Sequence, residues 1–247
     1  MIATLPMYDR PETRAANDRL WAAIAAQLPG APDALNRDLT PEAAWTHPVL
    51  LLSQTCGLPY RLGLHEQVQL VACPDFRLPD TPSGYYHSVI VARVDDERPI
   101  EVLLAARVAV NDLKSQSGHN ALYQYARARK LALGPVQITG AHVASARAVA
   151  EDRADVAAID ANTWRGITRW EGWASQLRVV DQTPPTPAMP YITSPTQDAT
   201  ALRHALSAAI SGLSPEDQAC LGLYGCMPAS KDAFMAVSPP PLPHKPA

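Results

Sequence analysis

The sequence has 247 residues, of which 47% are hydrophobic and 18% charged, and its formal net charge is -3. This length and apolar content allow a sizeable core, arranged as one large domain or as two small lobes. A slightly negative chain whose Lys and Arg residues are scattered is not typical of a protein that binds nucleic acid. We therefore expect the partner to be a small molecule.

The first residues predict a strand that opens an alternation of strands and helices. The segment IATLPMY reads as this strand, and residues 12 to 28 follow as a helix with Leu20, Trp21, Ile24 and Leu28 at helical spacing. The N-terminus lacks the basic start and the apolar stretch of a secretory signal, and no window approaches the roughly 20 apolar residues of a membrane helix. We expect a chain that does not span a membrane and that is cytoplasmic or numbered after processing.

Further along the chain, apolar strand-like runs continue to alternate with helical stretches. This alternation is typical of mostly parallel sheets covered by helices. The predicted strands after the first are PVLLLSQ, VQLVAC, YYHSVIVARV, RVAVND, PVQITG and DVAAID. The predicted helices begin near Thr55 and in HNALYQYARARKLAL and HVASARAVAEDRA, and the aromatic segment NTWRGITRWEGW follows the last strand.

Two segments rich in proline and other turn-forming residues divide the chain into lobes. They are FRLPDTPSGYYHS and DQTPPTPAMPY, which bracket the middle third of the sequence. We therefore predict one lobe from residues 1–84 and 190–235 and a second lobe from residues 85–189, with hinges near 82–90 and 181–191. The proline-rich tail, 236–247, is expected to be frayed or extended.

Polar residues recur where the predicted strands end. In open parallel sheets, ligands bind outside the carboxyl ends of the strands, where loops and helix starts converge. The residues at these positions are Tyr8, Asp9, Gln54, Thr55, Cys56, Gly57, Asn111, Ser115, Ser117, Thr139, Gly140, His142 and Asp160. Five such strand ends predict one ligand-binding crevice.

The local sequence at three of these ends has two interpretations. Ser115 and Ser117 are suited to cap the helix that follows, and the same helix start is suited to bind an anion. His142 is either a first-turn residue of its helix or a ligand contact, and Asp160 is either the cap of the next helix or a ligand contact. These alternatives stay open at this point.

The four cysteines do not indicate a metal site. Cys56, Cys73, Cys220 and Cys226 have neither CxxC spacing nor a histidine at the distance of a zinc ligand. We expect packed free thiols, no metal and no cofactor. A bond between Cys220 and Cys226 in an oxidising compartment stays open, because sequence does not show whether two Cβ atoms meet.

Several segments together resemble one known family. LSQTCGLPY, YYHSVIVAR, VNDLKSQSGHNAL, TGAHVASARAVAEDRADVAAIDANTW and PTPAMPY are similar to the phosphonate/phosphate-type substrate-binding proteins of ABC transporters, a branch of the type II periplasmic binding proteins. The similarity runs from about residue 3 to about residue 225, and its most specific part is the ordered set SxSG, TGxH and VAAID. It implies an α/β fold of two lobes, each a mostly parallel sheet flanked by helices, with the ligand cleft between the lobes.

The resemblance also implies a set of ligand-binding residues. Ser115, Gln116, Ser117 and Gly118 match a Ser-Thr-Ser-Gly turn that holds the phosphonyl oxygens, so Gln116 replaces a hydroxyl donor. His142 matches a histidine that touches the same group, and Asp160 matches an acid that faces an amine or a protonated oxygen. The full predicted set is Tyr8, Thr55, Tyr86, Ser88, Ser115, Gln116, Ser117, His142 and Asp160.

The leading interpretation is a monomeric, non-enzymatic protein that captures a small oxyanion for an ABC uptake system, with the transporter permease as its partner. The family implies a periplasmic location, against the expectation from the N-terminus. One alternative is a cytoplasmic sensor or binding protein of the same fold whose tyrosines stack on a pyrimidine or that binds a sulfonate. Another is an enzyme that uses Cys56, His142 and Asp160 as nucleophile, base and orienting acid, although the predicted lobes place Cys56 and His142 on opposite walls.

Overall fold

The chain folds into two α/β units in this computed structural model, which describes residues 1–240. Unit 1 comprises Met1–Tyr86 and Pro187–Met235, and unit 2 comprises His87–Thr186 together with the described part of Ala236–Ala247. The divisions lie at 86/87 and 186/187, against the expected 84/85 and 189/190. Residues 241–247, most of the tail for which we expected an extended form, lie outside the described residues.

Unit 1 is built on a five-stranded mixed sheet in the order β1-β2-β11-β3-β12. β1 is parallel to β2, whereas β11 is antiparallel to both of its neighbours and β12 is antiparallel to β3. β2 is buried along its whole length, which explains why it begins with three apolar residues in a row, Leu50, Leu51 and Leu52, rather than with an alternating pattern. The strands of unit 1 are β1 (Ile2–Ala3), β2 (Leu50–Gln54), β3 (Gln69–Asp75), β4 (Tyr85–Tyr86), β11 (Tyr191–Thr193) and β12 (Gly225–Met227).

Six helices cover this sheet. The helix predicted over residues 12 to 28 is α1, and it buries Leu20, Trp21 and Ile24 as its spacing predicts. The helix predicted to begin near Thr55 is α3, a single short turn that begins at Gly57. The helices of unit 1 are α1 (Arg14–Ala25), α2 (Pro41–Trp45), α3 (Gly57–Arg61), α8 (Ala199–Ser211), α9 (Pro215–Leu221) and α10 (Lys231–Met235).

Unit 2 contains a second five-stranded mixed sheet, in the order β7-β6-β8-β5-β9. β6 is parallel to β7 and to β8, whereas β5 is antiparallel to β8 and to β9. The strands of unit 2 are β5 (Ser88–Arg93), β6 (Val108–Val110), β7 (Val136–Ile138), β8 (Val156–Asp160) and β9 (Leu177–Gln182), and β10 (Thr186–Pro187) lies at the boundary with unit 1. Ile90, Leu104, Val108, Leu122 and Val156 form the centre of its core.

The expectation of mostly parallel sheets is therefore wrong in detail. A parallel neighbour requires a crossover that brings the chain back to the end of the sheet from which it started. β5 and β11 are instead the first long strand of unit 2 and the return strand of unit 1, and the chain enters each of them directly from the other unit. Both strands run antiparallel to the two strands beside them, and both sheets are therefore mixed.

Both helices predicted for unit 2 are present, and a helix that was not predicted, Ile100–Ala105, precedes them. The stretch predicted as one helix from HNAL onwards begins as a π-helix, Gln116–Asn120, and continues as α5 (Ala121–Ala128). The other helices are α4 (Ile100–Ala105), α6 (His142–Ala150) and α7 (Ala161–Trp170). Among the described residues, no helix combines the length and the apolar content that crossing a bilayer requires.

An ion-pair network ties the starts of two neighbouring strands of unit 2 together. The buried carboxylate of Asp155, just before β8, accepts hydrogen bonds from Arg98 Nη2 at 2.6 Å and from Arg107 Nε at 2.7 Å. It also accepts from the main-chain N–H of Arg107, just before β6. These donors hold the pKa of Asp155 well below its ordinary value, Arg107 having the largest effect, so the carboxylate stays charged.

Candidate ligand-binding site

The turn at residues 115–118 in unit 2 follows β6 and contains the start of the π-helix. Ser115 is the N-cap, and its Oγ accepts a hydrogen bond from the main-chain N–H of Gly118 at 3.0 Å. The main-chain N–H of Asn120 reaches back five residues to the Ser115 carbonyl, which makes the first turn wider than an α-turn. Ser115 is therefore a cap, and since the cap uses an acceptor lone pair, its O–H is left as a donor.

Gly118 allows a close approach within this turn. A Cβ atom at this position would lie 1.8 Å from Asn111 Oδ1 and 3.2 Å from His142 Cε1. Asn111 Oδ1 is buried and has no hydrogen-bond partner among the described residues. Asn111, which follows β6, was among the polar strand-end residues but not in the predicted ligand set, so it is an additional member of this site.

Ser117 and His142 are joined by a hydrogen bond. Ser117 Oγ lies 2.8 Å from His142 Nε2, although the two residues belong to different helices. His142 is the first residue of α6, after the N-cap Ala141. Burial lowers the pKa of His142 from its ordinary value of 6.5 to about 4. The imidazole is therefore neutral near pH 7 and contributes a hydrogen bond rather than a charge.

Asp160 and Ser88 face each other on neighbouring strands, and Ser88 contacts the turn. Asp160 ends β8, is fully buried, and caps α7 by accepting a hydrogen bond from the main-chain N–H of Thr163 at 2.8 Å. Ser88 is its direct partner across the β5–β8 pair. Ser88 Oγ donates to the carbonyl of Ser117 at 2.8 Å. Ser88 is therefore a positioning residue for the turn.

Hydrogen bonds and strand pairing thus bring together the predicted residues of unit 2. Ser88 contacts Ser117, Ser117 contacts His142, and Gln116 Oε1 accepts from Asn120 Nδ2 at 2.9 Å. The groups of this cluster are hydroxyls, amides and an uncharged imidazole, together with the carboxylate of Asp160. Such neutral donors at a helix start can surround an oxyanion without a competing cation.

Three of the predicted ligand-binding residues belong to unit 1: Tyr8, Thr55 and Tyr86. The ring of Tyr8 packs edge-on against Phe76, with ring centroids 5.3 Å apart. Thr55 is fully buried directly after β2, and its main-chain N–H donates to the Pro190 carbonyl at 3.0 Å. The helix that follows it, α3, has only five residues. Its dipole is correspondingly weak, so Thr55 has less support from a helix start than the turn in unit 2 has.

Arg61 is a charged residue that sequence reasoning missed in this group. It ends α3 and is 7% exposed. Burial lowers the pKa of its guanidinium. The signal in the sequence was weak, since one arginine at the end of a short helix has no motif.

The four cysteines were the candidates for a disulfide bond, a metal site or a nucleophile. All four cysteines are free thiols, including Cys220 and Cys226, for which a bond had been left open. Within residues 1–240, no group of three or more His, Cys, Asp and Glu side chains is arranged to hold a metal ion. Cys56 belongs to unit 1 whereas His142 and Asp160 belong to unit 2, and His142 Nε2 is hydrogen-bonded to Ser117.

Two α/β units connected by successive crossings, with a hydroxyl-rich turn at a helix start, define the class of two-lobe binding proteins. The chain matches the sequence model of the family described as ABC transporter, phosphonate, periplasmic substrate-binding protein over residues 55–232. It belongs to this family. Its fold is accordingly the two-lobe fold of the periplasmic binding proteins, and family and fold are those of transport proteins rather than of enzymes.

Solved structures share this fold at low sequence identity. The binding-protein component of an ABC phosphonate transporter from Pseudomonas aeruginosa has a TM-score of 0.71 and 14% identity, over 94% of this chain and 82% of that chain. PhnD1 from Prochlorococcus marinus in complex with methylphosphonate has a TM-score of 0.69 and 13% identity, over 94% and 93%. XAC2383 from Xanthomonas citri bound to ATP has a TM-score of 0.64 and 14% identity, over 94% and 92%. No curated protein matches the chain.

Proposed function

We propose that the protein captures a small oxyanion of the phosphonate class and delivers it to the permease of an ABC uptake system. The observation that carries this proposal is the Ser117–His142 hydrogen bond within a turn capped by Ser115 and held by Ser88. These contacts preorganise the hydroxyls before a ligand arrives, which lowers the entropy cost of binding. The family match supports the same ligand class.

The chemistry of the cluster favours an oxyanion that carries a donor of its own. Ser115 and the start of the π-helix supply donors to the charged oxygens. Ser117 does so with His142 in the tautomer whose Nε2–H donates to Ser117 Oγ, which leaves the Ser117 O–H for the ligand. Asp160, as a buried carboxylate, accepts hydrogen bonds and repels a second unprotonated oxygen. A phosphonate or phosphate monoanion has a protonated oxygen for Asp160, and an aminoalkylphosphonate has an ammonium group. An alkylsulfonate such as methanesulfonate has neither a protonated oxygen nor an ammonium group for Asp160 and should bind weakly.

Unit 1 is proposed to supply the second wall of the site. Tyr8, Thr55 and Tyr86 would contact the organic part of the ligand and its remaining oxygens as the lobes close about the crossings near 82–90 and 181–191. Closure removes water from the ligand and strengthens its charge-assisted hydrogen bonds.

Calorimetric titration tests the proposal. The native protein is titrated with methylphosphonate, 2-aminoethylphosphonate, inorganic phosphate and methanesulfonate. We expect binding of at least one of the three phosphorus oxyanions and weak or no binding of methanesulfonate. Replacement of Ser117 by Ala should raise the Kd about 5- to 150-fold, the loss of one hydrogen bond to a charged group.

Ser175→Ala is the matched control for this substitution. Ser175 lies in the same unit on an exposed turn, where its Oγ donates to the Gly172 carbonyl. Its removal should leave the affinity unchanged, and thermal melting of both variants detects any loss of folded protein. The proposed site is refuted if Ser117→Ala and Ser175→Ala bind the oxyanion equally well, and the proposed ligand class is refuted if none of the three phosphorus oxyanions binds.

A further inference from the structure

The segment that follows α10 binds unit 2 directly beside the ligand turn. The Ser238 carbonyl accepts hydrogen bonds from Asn120 Nδ2 at 3.0 Å and from Gln124 Nε2 at 3.2 Å. The Pro239 carbonyl accepts a third from Gln124 Nε2 at 3.2 Å, and Pro240 is buried. This segment, residues 236–240, is therefore held in place on the end of the π-helix and the start of α5 rather than frayed.

Asn120 connects this segment to the turn. It is fully buried, and its Nδ2 also donates to Gln116 Oε1 at 2.9 Å. An amide NH2 group has two hydrogens, so Ser238 and Gln116 together use both. Because Gln116 Oε1 faces Asn120, the amide orientation of Gln116 is set with Nε2, its donor end, on the other side. Gln116 is the position at which this chain departs from a turn made of hydroxyl residues.

We propose that segment 236–240 acts as a positioning element for the oxyanion turn, with Asn120 as the positioning residue that orients Gln116. The inference rests on the proposed function and extends it to the C-terminus. Without the segment, one Nδ2 hydrogen of Asn120 loses its partner in a buried site. Gln124 Nε2, which donates to Asn120 Oδ1 at 3.3 Å, loses its own contacts with the Ser238 and Pro239 carbonyls, so the Asn120 amide is held less firmly. Gln116 can then turn its carbonyl oxygen, rather than its NH2 group, towards an anion.

The same contacts link ligand binding to the docking of the segment. Segment 236–240 leaves α10 of unit 1 at Met235 and docks on unit 2, so it is a third covalent passage between the units. If docking strengthens ligand binding, then ligand binding strengthens docking by the same factor. A bound oxyanion should therefore protect the segment and the π-helix from hydrogen exchange together.

The first test compares chains of different length. A chain that ends at Met235 lacks the segment, and a chain that ends at Pro240 retains it and is the matched control. We expect the shorter chain to bind methylphosphonate about three- to tenfold more weakly, the loss of one neutral hydrogen bond, and the control to bind like the full chain. Equal affinity of all three chains would overturn the proposal.

A double-mutant cycle tests the route through Gln116. In the Gln116→Ala background, removal of the segment should have no further effect on affinity, because the residue that the segment orients is absent. An equal loss of affinity in both backgrounds would show that the segment acts elsewhere. Asn120→Asp in the full chain provides a second variant, since a carboxylate cannot donate to Ser238 or Gln116 and should weaken binding as truncation does.

Hydrogen exchange of the unliganded protein gives a readout that needs no ligand. We expect faster exchange across residues 116–124 in the chain that ends at Met235 and in Asn120→Asp, with the exchange of α1 in unit 1 unchanged. Unchanged exchange across 116–124 would overturn the inference even if phosphonates bind. If instead no phosphonate binds the full chain but exchange responds as expected, the ligand class is wrong and the positioning role of the segment stands.

Discussion

Replacement of Gly118 by Ala tests the packing of the ligand turn at its tightest point. The new Cβ would lie 1.8 Å from Asn111 Oδ1 and 3.0 Å from Asn111 Cγ. A carbon and an oxygen that are not bonded require about 3.3 Å, so the two residues must separate by about 1.5 Å. Asn111 belongs to the turn after β6, and such a shift also strains the Ser115 cap and the Ser117–His142 hydrogen bond.

We expect Gly118→Ala to destabilise the protein by about 1 to 3 kcal/mol, the usual cost of overpacking. For a chain of this size, that loss corresponds to a fall in the thermal midpoint of about 2 to 10 °C. Gly172→Ala in the same unit is the control, because no atom lies within 4 Å of the Cβ added there. Its effect should be close to zero or slightly stabilising.

A second substitution separates the clash from other effects of the alanine. Asn111→Ala removes the Oδ1 and Cγ atoms that the new Cβ meets, so the double variant should recover most of the stability that Gly118→Ala loses. Circular dichroism melts of the four proteins measure this coupling. The predicted clash with Asn111 is refuted if Gly118→Ala melts at the same temperature as the native protein, or if the double variant melts no higher than Gly118→Ala.

Two further predictions concern charge and pH. Because the pKa of His142 is about 4 in the folded protein and 6.5 in the unfolded chain, the unfolded state gains the proton first as the pH falls, and stability should decrease on acidification from pH 6.5 to 4. His142→Gln should flatten this part of the curve in denaturant titrations, and an unchanged slope would refute the assignment. Asp155→Asn should destabilise unit 2 by about 1 to 3 kcal/mol at pH 7 because two arginines lose a buried partner, and the difference should shrink below pH 4 as the native carboxylate loses its charge advantage. Asp95→Asn, at a side chain that is 83% exposed, is the control, and equal effects of the two substitutions would contradict the role of the network.

The elements that sequence reasoning predicted correctly are those set by local pattern. The run DVAAID became the fully buried strand β8, and the apolar spacing of residues 20 to 24 became the buried face of α1. Strand direction was not predictable in this way. The residues of β5 would suit either a parallel or an antiparallel neighbour, and the direction follows from the crossing that delivers the chain to the sheet.

The ligand turn was partly predictable for a related reason. The order SxSG, TGxH and VAAID placed Ser117, His142 and Asp160 in one unit, although the separation of 25 positions between Ser117 and His142 hides their contact. For Ser115, capping does not exclude a ligand contact, because the cap uses one lone pair of Oγ and leaves the hydroxyl hydrogen as a donor. Local sequence could not reveal Asn120, because its partner Ser238 is 118 residues away.

The position of β11 has a consequence for biosynthesis. In the first sheet, Tyr191–Thr193 lies between β2 and β3, so the centre of that sheet comes from the last third of the chain. While the ribosome is still adding residues 87 to 186, β2 and β3 have no strand between them, and the backbone groups on their facing edges stay unpaired. Residues 87–186, in contrast, leave the exit tunnel as one uninterrupted stretch and can collapse at once. We therefore expect the nascent protein to complete its second sheet before its first, with the earliest residues waiting longest for their partner strand.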